Sequence, residues 1–209
     1  DDDVRQDSVC WVRESDGTTA AADDAERATR PLGDGMLHCA RLLRGIGHEL
    51  ERHGYRRSHG FRVPKQLQLA RYPGDGASHY VRHLDACLDS VLDLGLLEWL
   101  RVSDVRERVV TAILYLNDHE WGPEVSPSGG AQRSGALRLF LPASEHGLGA
   151  GACGAERHID VVPCGGTLVV FDARALEHQV MPPDRDRFAL TCWIVGRPGQ
   201  PPEAVGRKK

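Results

Sequence analysis

From Gln66 onward, apolar and polar residues alternate in short runs that Gly, Pro and Asp interrupt. The strand candidates are "LQLARY", "HYVRHLD", "RVVTAILYLN", "ALRLFL", "RHIDVV", "TLVVFD", "HQVM" and "RFALTCWIV". A helical period holds earlier, where Leu37, Leu42, Leu43, Ile46 and Leu50 mark one apolar face and Gly54 offers a stop. Residues 12–36 are polar and small, which predicts a long connecting loop with a helical turn near Asp23 to Ala28. The apolar insert "LDSVLDLGLLEWLRVSDV" after Asp85 predicts a further helix packed on the outside. Eight short strands behind N-terminal helices predict a mainly β fold, a double-stranded β-helix or jelly roll, with the helices on one outer face. The chain divides into an N-terminal strand and mobile loop (1–36), a supporting helix (37–65), a β core (66–197) and a flexible tail (198–209).

Composition narrows the function classes. The 23 Gly and 12 Pro suit a turn-rich β architecture. A formal charge of −4 gives no general basic field for a nucleic-acid backbone. No apolar run approaches the roughly 18 residues that span a bilayer, so neither nucleic acid nor membrane is an expected partner. No signal peptide is visible, and an opening of Asp-Asp-Asp without Met reads as a processed form or a fragment. Cys10, Cys39, Cys87, Cys153, Cys164 and Cys192 form no CxxC pair. Reduced thiols and an intracellular site, cytoplasmic or nuclear, are the expectation.

Among ten histidines, most have a bland reading. "HELERH" places His48 and His53 five apart, about 140° around a helix and away from a common metal. His119 has no partner at ligand spacing. Two His-x-Asp pairs remain, His83/Asp85 and His158/Asp160. On a strand, residues two apart face the same way, so either pair offers two ligands to one cation. A metal centre that activates oxygen takes two His and one carboxylate and keeps its other positions open. The third ligand must come from a distant strand, and His178 in "ALEHQVMPP" is the candidate.

Strand parity adds a second device. Arg187, Ala189, Thr191 and Trp193 share one face of their strand, and Thr111, Ile113 and Tyr115 share one face of theirs. A guanidinium and a phenol at the back of an apolar barrel make a clamp for a carboxylate. Arg185 has the same parity as Arg187, but Arg187 opens the hydrophobic strand and is expected to lie deeper.

The segments "YPGDGASHYVRHLDA", "TAILYLN", "SGALRLF", "LEHQV" and "DRFALTCWIV", in this order, resemble the prolyl 4-hydroxylase branch of the Fe(II)/2-oxoglutarate dioxygenases. Within it they are similar to the hypoxia-inducible-factor-type prolyl hydroxylase domains. The resemblance covers about residues 66 to 195, and more loosely "VRQDSVCWV". It implies that His83, Asp85 and His178 hold Fe(II), leaving His158/Asp160 on the rim. It implies that Arg187 and Tyr115 bind the distal carboxylate of 2-oxoglutarate, and that Tyr72, Ile113, Leu137, Thr191 and Trp193 line the pocket. Molecular oxygen is the co-substrate and ascorbate the reductant. The expected reaction is hydroxylation of proline in an intracellular protein or peptide, as in oxygen sensing. A carboxylate ligand at Asp85 favours hydroxylation over halogenation. Hydroxylation of a free amino acid or other small molecule is the alternative, and a silent jelly-roll binding module is the alternative of a different class. Residues 12–36, with Glu14, Asp16, Asp23, Asp24 and Glu26, match a mobile loop of the family that folds over its peptide. The insert after Asp85 and the loop from Pro142 to Glu156 are long for the family, and both adjoin the mouth of the site.

Overall fold

The structure, a computed structural model, describes residues 6–13, 18–21, 30–31, 33–55, 58–86, 105, 107–121, 134–141 and 156–198. Its elements run β1 (Ser8–Arg13), β2 (Thr18–Ala21), β3 (Arg30–Pro31), α1 (Asp34–Arg52), β4 (Ser58–Arg62), β5 (Gln66–Tyr72), β6 (Tyr80–His83) and β7 (Arg108–Tyr115). They continue with β8 (Leu137–Phe140), β9 (His158–Val161), β10 (Leu168–Asp172), β11 (His178–Val180) and β12 (Arg187–Pro198). Each of the eight strand segments expected from the sequence overlaps one of these strands; β5 starts one residue earlier, at Gln66, and β12 runs on to Pro198.

Two antiparallel sheets face each other. The larger follows the order β10-β7-β12-β5-β1-β2-β3, with β4 also paired to β12; the smaller is β6-β11-β8-β9. This is the jelly roll that the alternation predicts. The middle strands of the larger sheet have a buried residue on both faces, because each separates two cores. Val110, Ala112 and Leu114 of β7, with Leu190, Cys192 and Ile194 of β12, pack against Ala40 and Leu43 of α1. Ile113 and Tyr115 of β7, Ala70 and Tyr72 of β5, and Ala189 of β12 point the other way, toward Leu137, Leu139 and Val180 of the smaller sheet. The functional cavity belongs to this second, inter-sheet layer.

The helix forms where the period places it, and the fold shows why it stops. Gly54 takes a left-handed φ of 71°, and the amides of His53, Gly54 and Tyr55 bond back to Glu49, Glu51 and Leu50. Leu42, counted on the apolar face, is instead 56% exposed, while Ala40, Leu43 and Gly47 make the seam.

Other expectations need correction. Residues 12–36 are not one uninterrupted loop: β2 pairs with β1 and β3 with β2, extending the larger sheet at its edge. The sequence hides this because the two strands, four and two residues long, are too short to show a period-2 pattern. Helix α1 ends at Arg52, and β4 follows it within the segment 37–65. The expected turn near Asp23 and the five acidic residues of the loop lie outside the described residues. So do the insert from 87 to 104 and the loop from 142 to 155.

Candidate active site

His83 ends β6 and His178 begins β11, and the antiparallel register sets the two opposite each other. Their ring centroids are 4.3 Å apart. Each ring is anchored by Nδ1 against a carbonyl two residues back, His83 at Val81 (2.8 Å) and His178 at Leu176 (3.1 Å). In a neutral imidazole the nitrogen facing a carbonyl carries the proton, which turns Nε2 of each ring toward the site as the lone-pair nitrogen. Tyr80 stacks on His83 at 3.8 Å and Phe171 meets His178 edge-on at 4.8 Å, which fixes the ring planes.

Asp85 lies two residues beyond the end of β6, in a turn, so strand alternation is not what aims it. That corrects the sequence argument for the pair while leaving the pair itself converged. Its Oδ1 is 3.7 Å from His83 Nε2 and its Oδ2 3.5 Å from His178 Nε2. The Thr111 hydroxyl donates to Oδ2 at 2.6 Å, Arg108 donates to the Asp85 carbonyl at 3.2 Å, and the next amide, Ala86, bonds to Ala173. Ligand atoms of His83, Asp85 and His178 all lie within 4.8 Å of one another, the only such three-residue group among the described residues.

Electrostatics favour a cation here. Burial works against charge on Asp85, but His83, His178 and Thr111 outweigh it and hold the carboxyl at about 2. Burial lowers the pKa of His178, against the pull of Asp85. A buried carboxylate beside two imidazole Nε2 atoms is a donor set for a divalent ion.

The same cavity carries a second polar device. His83, Asp85 and His178 line it together with Tyr72, Ile113, Leu137, Arg187, Thr191 and Trp193. Arg187, the first residue of β12, is 2% exposed. Its Nε donates to the Gly135 carbonyl at 2.9 Å and its Nη2 to the Tyr115 hydroxyl at 3.4 Å. Gly135 has a left-handed φ of 65°, which favours glycine, and a Cβ there would press on Pro183 (3.1 Å), Trp121 (3.2 Å) and the Arg187 side chain (3.3 Å). Tyr115 is fully buried, with its hydroxyl against the Arg187 guanidinium. Burial raises its pKa and keeps the phenol neutral, and since Arg187 donates to its oxygen, its own O–H stays free to donate. Among the described residues no carboxylate pairs with Arg187. A buried guanidinium without a counter-anion is costly, so the cavity is built for an anionic ligand.

The competing residues resolve into structural roles. Asp160 accepts both Arg138 Nε (2.8 Å) and Nη2 (2.9 Å), a bidentate pair that ties β8 to β9. Exposed His158 lies across from Phe140. His53 sits 3.6 Å from Glu49 at the exposed end of α1. Arg185 lies over the Trp121 ring at 4.5 Å instead of reaching the cavity.

Five lining residues were not anticipated: Gln68, Ala70, Tyr80, Val180 and Ala189. Gln68 and Ala70 share parity with Tyr72, and Ala189 with Arg187, so the alternation was available to find them. Tyr80 had no such signal: it differs in parity from His83, and a register irregularity sets it opposite Val180 while His83 lies opposite His178. Trp193 Nε1 is buried with no hydrogen-bond partner among the described residues.

Residues 67–195 match the 2OG-Fe(II) oxygenase superfamily. Over 197 residues, 93% of this chain, the sequence is 28% identical to a "Hypoxia-inducible factor prolyl hydroxylase" of Caenorhabditis elegans. That match takes in 20% of the relative, so the chain spans about a fifth of its length. A Pseudomonas putida prolyl-4-hydroxylase structure is 25% identical, with a TM-score of 0.54, covering 93% of this chain and 74% of that one. A Trichoplax adhaerens prolyl hydroxylase, solved with a hypoxia-inducible-factor peptide fragment, has the same fold at 19% identity and TM-score 0.54, covering 92% and 64%.

Proposed function

Because the chain belongs to the 2OG-Fe(II) oxygenase superfamily, it is an Fe(II)- and 2-oxoglutarate-dependent dioxygenase, and we propose that it hydroxylates proline in a protein or peptide. The observation that carries the reading is one cavity holding both a converged His83/Asp85/His178 set and a buried, anion-seeking Arg187. The prolyl hydroxylase names of the Caenorhabditis elegans and Pseudomonas putida relatives support the choice of residue. The peptide in the Trichoplax adhaerens complex supports a polypeptide substrate.

Two imidazole nitrogens and one carboxylate fit Fe(II), and His83, Asp85 and His178 would hold it. When bound, the ion supplies the oxygen-activating chemistry that couples decarboxylation of 2-oxoglutarate to hydroxylation of the substrate. The chain's own residues do the rest. The Arg187 guanidinium takes the distal carboxylate of 2-oxoglutarate, and the neutral Tyr115 hydroxyl adds a donor. Ile113 and Leu137 form apolar wall and Thr191 a small polar one, so water is excluded around the co-substrate. Tyr72, under the Arg187 guanidinium at 5.0 Å, keeps the fork in plane. Trp193 also lines the cavity, with the Arg108 guanidinium 4.0 Å above its ring.

Incubation with Fe(II), 2-oxoglutarate, ascorbate and a panel of proline-containing peptides tests the substrate class. The expected result is a proline heavier by one oxygen atom, with succinate formed in equal amount. Oxidation of free amino acids with every peptide untouched would overturn the polypeptide assignment.

A further inference from the structure

We propose that Thr111 is a positioning residue for metal binding: its hydroxyl fixes the rotation of the Asp85 carboxylate, so the ligand set is aligned before an ion arrives. The proposal rests on reading His83, Asp85 and His178 as the metal ligands. Each histidine has a device that locks its ring, a backbone carbonyl on Nδ1 and an aromatic neighbour on its face or edge. Asp85 has neither a ladder position nor a ring. Its main chain is held by Arg108 and by the Ala86–Ala173 bond, but these leave the carboxylate free to turn about Cβ–Cγ.

Thr111 removes that freedom. Its Oγ1 lies 2.6 Å from Asp85 Oδ2, the shortest contact to that carboxylate among the described residues, with His178 and His83 Nε2 at 3.5 and 3.7 Å. An ionised carboxylate only accepts, so the hydroxyl proton must point at Oδ2. Thr111 itself is 0% exposed, in the middle of β7, opposite Phe171 of β10 on one side and Trp193 of β12 on the other. A β-branched side chain in a doubly paired strand has little rotamer freedom. The orientation of a ligand that lies in a turn beside the smaller sheet is therefore set by the most tightly held part of the larger one. The contact also spans the two sheets at the metal end of the barrel, so their relative position becomes part of the ligand geometry.

Thr111→Val keeps the shape and removes the hydroxyl, while Thr111→Ser keeps the hydroxyl and removes the methyl. Anaerobic titration with Co(II), without 2-oxoglutarate or peptide, reads the metal site directly and apart from substrate choice. Thr111→Val should weaken Co(II) binding by about 10- to 100-fold, the usual cost of losing an outer partner of a ligand. Its visible Co(II) absorption should also change, because the carboxylate is no longer held in one orientation. Thr111→Ser should restore both the affinity and the spectrum. Should the Val variant fail to fold, Thr111→Ala removes the same hydroxyl and repeats the test. Wild-type affinity in a folded variant that lacks the hydroxyl would overturn the proposal, even if its thermal stability falls. A Ser variant as weak as the Val variant would also overturn it, since the methyl would then be what matters. Wild-type protein that takes up no Co(II) would overturn the metal-site reading together with the role of Thr111.

Discussion

Arg185 and Arg187 stand two apart with the same strand parity, and the environment of each decides its role. Arg187 is 2% exposed, with its fork held by Gly135 and Tyr115, and it lines the cavity. Arg185 lies on Trp121, with its side chain 37% exposed. Losing a buried charged partner costs on the order of 2–5 kcal/mol. Arg187→Ala should therefore raise the 2-oxoglutarate concentration needed for half-maximal turnover by at least an order of magnitude. Arg185→Ala should leave it close to the wild-type value. Succinate release measured against 2-oxoglutarate concentration separates the two, and equal effects would show that the anion sits elsewhere.

At the scale of elements, β7 and β12 join the outer core to the chemistry. One face of each packs on α1 and the other carries Thr111, Ile113, Tyr115, Arg187, Thr191 and Trp193 toward the site. Helix α1 supports the platform from behind, through a seam narrower than its apolar residues suggest. Leu43 is 1% exposed in that seam, and Leu42 points out at 56%. Leu43→Ala should cost about 2–5 kcal/mol of stability, as deletions of a buried leucine do. Leu42→Ala should change stability by less than about 0.5 kcal/mol. Denaturant unfolding of the two variants checks this, and comparable losses would mean that the helix is rotated from the face described here.

Across the whole molecule, what was legible in the sequence follows period-2 alternation. Strands β7 and β12 have strong alternation with distinct residues on each face, so Tyr115, Arg187, Thr191 and Trp193 could be assigned to one side from their numbers alone. The resemblance to a known family supplied the choice of His83/Asp85 over the rim pair His158/Asp160, because pairing register is not visible in a single strand. Only the fold shows that His178 lies directly across from His83, and that Asp160 is spent on Arg138. Asp85 was found for an incomplete reason: it sits beyond its strand, and its aim depends on Thr111 across the barrel. Strands β2 and β3 at the end of the larger sheet went unseen because four and two residues are too short to show an alternation. The central claim is that His83, Asp85 and His178 form the iron centre of a 2-oxoglutarate dioxygenase and that His158/Asp160 does not. Iron-dependent release of succinate from 2-oxoglutarate by wild-type, Asp85→Ala and Asp160→Ala proteins tests it most directly. The account predicts turnover by wild type, none by Asp85→Ala, and near wild-type turnover by Asp160→Ala at reduced thermal stability. Turnover that survives Asp85→Ala, or is abolished by Asp160→Ala in a folded protein, would contradict it.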